Sequence, residues 1–165
     1  MTGTPRKARS ARRTAVARID YATLADLRYH IRRFLRSREV DARAAGIEPQ
    51  QYLVLLQVKG LEGRGPATIG VLADRLQVRH HAAVQLVDRL VRAGMVERRR
   101  HGRDGRQVVV CLRPAAETIL ERLARHAVRE LTTEGPSLVT SLNRLMRPAA
   151  RGREPSADPG EPTAG

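Results

Sequence analysis

Leu24, Leu27, Ile31, Phe34 and Leu35 recur at spacings of three and four, which predicts an amphipathic helix over residues 20–45, closed by Gly46. Pro49, at the first helical position where its missing N–H costs nothing, opens a second helix reaching Gly60. Its residues Tyr52, Leu53, Val54 and Leu56 are expected to face a core. Gly63, Arg64, Gly65 and Pro66 make a loop. Thr68 then stands where an N-cap belongs, with a short helix over 69–76 behind it. Gln77 and Val78 separate this helix from another over 80–92, whose inner side carries Ala83, Val84, Val87, Leu90 and Val91 before Gly94 stops it.

Two helices joined by so tight a turn form a helix-turn-helix. Burial of the second helix's apolar stripe turns Arg79, His81, Ala82, Gln85, Arg89 and Arg92 outward. Residues 95–100 and the Val-rich 107–112 read as strands, joined across 101–106 by the Gly and Asp chemistry of a hairpin. A basic hairpin directly after a helix-turn-helix is a wing. Pro114 starts a helix through Leu131, Gly135 and Pro136 are expected to break it, and a last helix covers 137–147 with Leu138, Leu142 and Leu145 in period. The fold class is therefore mainly α with a small β-wing: a winged helix-turn-helix with terminal helices. Residues 1–18 and 148–165 have no apolar period and read as a disordered basic arm and a disordered tail.

Composition narrows the function. Apolar residues make up 41% of the chain but aromatics only 2%, so the core is aliphatic and the stacking platforms of single-strand binders are missing. The formal charge is +14, and its distribution is informative. Residues 1–18 hold six basic and no acidic groups, and 147–165 hold three of each. Residues 75–113 alone carry ten arginines against Asp88, Glu97 and Asp104, the clustering expected of a phosphate-binding surface. The lone Cys111 forms no internal disulfide, no run is apolar enough to span a bilayer, and the N-terminus lacks a secretory signal, so a cytoplasmic location is expected. A phosphate-cradling glycine loop, a nucleophile elbow and a HExxH pair are all missing, so no enzyme is expected.

The stretches LADRLQVRHHAAVQLVDRLVRAGMVERR and RDGRQVVVCL resemble the recognition helix and wing of the MarR family of transcriptional regulators, and the likeness extends over about residues 19–146. It implies a DNA-binding lobe over 49–112 and dimerisation helices over 19–45 and 114–147. The implied function is a homodimeric repressor on a pseudo-palindromic double-stranded DNA site, with release by a small-molecule effector. The alternative is an architectural protein that coats DNA with little sequence choice. After the wing the family often continues Leu-Thr-x-x-Gly, where this chain has LRPAA at 112–116.

The candidate DNA contacts are Thr68 and Arg75 on the first helix of the motif, Arg79, His80, His81, Gln85 and Arg89 on the second, and Arg98, Arg100, Arg103, Asp104 and Arg106 on the wing. Arg98, Arg99 and Arg100 alternate across a strand, so at most two point one way. Adjacent His80 and His81 cannot share a ligand on a helix as an i, i+4 pair can, and neither a metal nor another cofactor is expected. Tyr29 and His30 border the candidate effector cleft that the resemblance implies. His126 reads as a packed or surface histidine and Cys111 as a small buried hydrophobe.

In wings of this family an Asp-x-Arg pattern orients an arginine into the minor groove, and here it maps onto Asp104 and Arg106. Arg106→Ala is expected to weaken binding to all duplexes and to flatten the dependence on log salt by about one unit. Asp104→Ala should act as a milder version, and the double variant should be less than additive. Titration against one selected and one scrambled duplex at several salt concentrations checks this.

Overall fold

A computed structural model describes residues 20–101 and 107–147. The described elements run α1 (Tyr21–Ala44), α2 (Pro49–Leu61), α3 (Ile69–Leu76), α4 (His80–Arg92), β1 (Val96–His101), β2 (Gln107–Leu112) and α5 (Pro114–Met146). Five helices and a two-stranded antiparallel sheet make a winged-helix lobe set on two long helices.

Local chemistry sets the helix ends. Asp20 caps α1, its carboxylate accepting from the Thr23 N–H at 2.9 Å and from the Thr23 hydroxyl. These bonds stabilise the charged form and hold the Asp20 carboxyl below the usual aspartate range. Pro49 is the first residue of α2, and the Gln51 side chain accepts from the Glu48 N–H at 3.1 Å. After α4, Gly94 takes φ +69°, a left-handed turn that glycine adopts without strain, and the chain enters β1.

The core is aliphatic. Leu55, Val54, Leu72, Val87, Leu90 and Val96 are almost wholly excluded from solvent, and Ala116, Leu120 and Leu123 of α5 complete the same cluster. Leu56 was expected to face that core; instead it is 37% exposed and turns toward α1 and α5. β1 and β2 pair in the register Val96↔Leu112, Arg98↔Val110 and Arg100↔Val108. A single bond from Val110 N–H to the Ala67 carbonyl at 2.9 Å ties the sheet to the segment before α3.

The C-terminal part differs from the sequence expectation. Gly135 and Pro136 do not end a helix; α5 continues for 33 residues with Pro136 inside it. Leu131, Leu138 and Leu145 lie seven residues apart, so the apolar phase is unbroken across the proline. Contacts with α1 hold both sides in one line: Arg33 pairs with Glu134 at 2.9 Å, and Arg144 reaches Asp20 at 3.4 Å. Proline inside a helix removes one hydrogen bond and crowds the preceding turn. Pro136→Ala should therefore raise unfolding stability by roughly 1–3 kcal/mol, read as a higher midpoint in thermal or urea unfolding. A terminal break at this point would leave the midpoint unchanged.

Candidate nucleic-acid interface

Burial of Ala83, Val87 and Leu90 fixes the rotation of α4 about its axis. The opposite side presents His81, Gln85, Arg89 and Arg92, and Arg79 and His80 stand at the N-terminal end of the helix; all six are exposed. His81, Gln85 and Arg89 succeed one another at a spacing of four, so they stand in one row along the helix. Among the described residues neither Arg79 nor Arg89 meets a carboxylate.

α3 supports this helix. Thr68 caps it, the hydroxyl accepting from the Val71 N–H at 3.3 Å. Gln77 closes it in the left-handed conformation at φ 54° and donates through its side chain to the Asp74 carbonyl at 2.6 Å. Arg75 is exposed, and its Nε donates to Gln57 Oε1 of α2 at 2.5 Å. The first helix of the motif is thus tied to α2 through a side chain absent from the sequence-derived set.

The wing arginines separate. Arg98 turns back onto α4 and meets Asp88 at 2.7 Å. Arg99 binds Glu97 on the other face of the sheet, where Arg113 also reaches Glu97 at 3.4 Å. The hydrogen bond from Arg99, helped by the charge of Arg113, holds the Glu97 carboxyl below the usual range. Arg100 is exposed beyond Arg98 on the same face. Arg103, Asp104 and Arg106 lie outside the described residues. Cys111 is half-buried on the face that carries Glu97, less enclosed than expected.

Tyr29 and His30 do not line one common cavity. Their rings meet edge to face at 5.4 Å; His30 lines a small apolar space between α1 and α5, and Tyr29 faces outward. A cavity of about 450 Å³ opens elsewhere, among α1, α2 and α5, with Phe34, Arg38, Tyr52, Leu53, Leu56 and Ala127 in its wall. Burial pushes the Tyr52 phenol up. Arg38 is only 7% exposed and binds Asp41 at 2.7 Å and Glu130 through Nη2, while among the described residues its Nε and Nη1 have no partner. The sequence carried a signal for it: Arg38 continues the row Leu27, Ile31, Phe34 and precedes buried Ala42 at helical spacing. His126 meets Asp41 at 2.6 Å at the edge of this cluster. Among the described residues no group of three His, Cys, Asp or Glu could hold a metal ion, and no helix is long and apolar enough to cross a membrane.

A helix-turn-helix followed by a two-stranded wing, carried on long helices, defines the winged-helix class. The family model described as the MarR family matches residues 45–107, the stretch that runs from before α2 to the start of β2. The fold is shared with wild-type MarR from E. coli in its apo form, at 24% identity over 79% of this chain and 99% of that one, TM-score 0.58. A MarR family protein from Bacillus stearothermophilus matches at 24% identity over 78% of this chain and 96% of that one, TM-score 0.59. A mutant of MepR from S. aureus, bound to an oligodeoxyribonucleotide, matches at 15% identity over 78% and 97%, TM-score 0.56. No curated protein matches the sequence.

The bound state of Thr68 makes one outcome specific. Thr68→Ala should cost about 1 kcal/mol through loss of the cap, and Thr68→Ser should restore most of it. Urea unfolding of the three proteins provides the measurement.

Proposed function

We propose that this chain is a cytoplasmic DNA-binding transcription regulator that acts as a homodimer. α4 enters the major groove of each half of a pseudo-palindromic site, and the wing grips the flanking minor groove. The observation that carries this reading is the exposed row of His81, Gln85 and Arg89 on a helix whose opposite side is locked in the core. Side chains of these types donate to phosphates and base edges, and a two-fold dimer places two such helices about 10 bp apart. The DNA-bound MepR of the same fold supports a duplex as the partner.

The second copy has a face to meet. Leu24, Ile31 and Leu35 on α1 and Leu131, Val139, Leu142 and Met146 on α5 are exposed, an apolar surface that water disfavours. A dimer on a promoter excludes polymerase, so repression is the default mode. The cavity beside Arg38 supports release by a small effector, which must favour the lobe spacing that does not fit DNA.

Selection from random duplexes should return an inverted repeat; recovery of no motif would favour the architectural alternative. Light scattering at micromolar protein should give about twice the 18.3 kDa chain mass. Gln85 pairs a donor with an acceptor as adenine requires, so Gln85→Ala should lower discrimination at one base position by roughly 1–3 kcal/mol with the salt slope unchanged. Arg89→Ala should instead weaken selected and scrambled duplexes alike and flatten the slope by about one unit. Competition binding over a salt series distinguishes the two.

A further inference from the structure

Arg98 belongs by type and sequence position with the DNA-facing arginines, yet its guanidinium is held at 2.7 Å by Asp88 of α4. Asp88 is a carboxylate on the helix that presents Arg79, Gln85, Arg89 and Arg92, where a free negative charge opposes phosphate. The two residues come from different elements and meet midway along β1. Below them the base of the wing is fixed by the backbone: Met95 N–H donates to the Leu90 carbonyl at 2.9 Å, and Arg113 N–H to the Met95 carbonyl at 2.9 Å. Above them Arg99, Arg100, His101, Gln107 and Val108 are all exposed. On the reverse face Glu97 is bound by Arg99 and Arg113, the latter the N-cap of α5. β1 is therefore braced from both faces at neighbouring residues, and the pair on the α4 side is the outermost tie between wing and helix seen among the described residues.

We propose that Asp88 and Arg98 are a positioning pair that sets the angle between α4 and the wing, with Arg98 acting through that angle and not by contact with DNA. The inference rests on the DNA-binding reading above and adds a specific division of labour. Three further residues carry β1 about 10 Å beyond Arg98, so a small rotation at the tie is magnified along the strand. Major-groove and minor-groove contacts must be made together by one rigid piece, and a mis-set wing loses one of them. Asp88 then has a reason to sit on a cation-presenting helix: it takes one arginine out of the phosphate-binding set and uses it as a strut.

The test uses the full-length protein with Asp88→Asn, Arg98→Gln, their double variant, and the charge exchange Asp88→Arg with Arg98→Asp. Against a duplex selected from a random pool, each single variant should bind up to about fivefold more weakly, the range an exposed ion pair supports. The salt slope should stay at the parent value, the double variant should be no weaker than either single one, and the exchange should recover most of the loss. In the DNA-free protein, amide hydrogen exchange should quicken in β1 and β2 of both single variants while α2 and the first half of α5 keep parent protection. Tighter DNA binding by Asp88→Asn, together with a slope flattened by about one unit in Arg98→Gln, would make Arg98 a phosphate contact and overturn the proposal. Unchanged exchange in the wing would overturn it also. If the parent binds no duplex, the DNA-binding reading fails, and the exchange measurement still decides whether the pair sets the wing.

Discussion

Burial of three residues, Ala83, Val87 and Leu90, governs the presentation of chemistry in this molecule. A helix has one rotational freedom about its axis, and packing this stripe against α2 and α3, which carry Leu55 and Leu72, removes it. The 3.6-residue period then sends Gln85 and Arg89 outward with no further instruction. Gly94 and the Met95-to-Leu90 backbone bond pass the same fixed frame on to β1. Site and core are one set of constraints: a shift of the apolar stripe by one position would turn the cationic row by about 100°.

The parts legible in the sequence are those written by short-range periodicity and by punctuation. α1 through α4 and β2 follow from apolar spacing, Pro49, Thr68 and Gly94, each of which acts within a turn or two of its own position. The break expected at Gly135 and Pro136 shows where such local rules stop. A proline's cost is local, whereas the packing of α5 on α1 is a contribution summed over the whole helix and can outweigh it. Leu56 illustrates the same limit, because position on an inner stripe does not reveal whether the neighbouring space is filled. The side-chain partners Asp88 for Arg98 and Gln57 for Arg75 were not legible, since those pairs join residues ten and eighteen positions apart in different elements. Only the register of the sheet and the placement of α2 bring them together.

Arg38 shows how a charge can be carried inside an aliphatic fold. Its Nη2 answers Asp41, Glu130 and Ser37, and the guanidinium lies 5.5 Å from the centre of the Phe34 ring. Removing either carboxylate would leave a buried cation less compensated, an effect larger than any exposed ion pair of this protein produces. The cluster joins α1 to α5 at the level where α2 also approaches, so it lies between the wing-bearing lobe and the outer ends of the long helices. Among the described residues two of its donor atoms have no partner, and both lie beside an apolar cavity.

α5 has a consequence for modularity. Its first turns supply Ala116, Leu120 and Leu123 to the core that α2 also lines, while its later turns run along α1. A fragment cut at the end of β2 would lose one wall of its own interior and open the α2 side of the core to water. The reading head is therefore not a cartridge that can be lifted onto another scaffold. A chimera that keeps this head must carry α5 at least past Leu123 and must then match the new helix to the old one in rotational phase as well as in sequence.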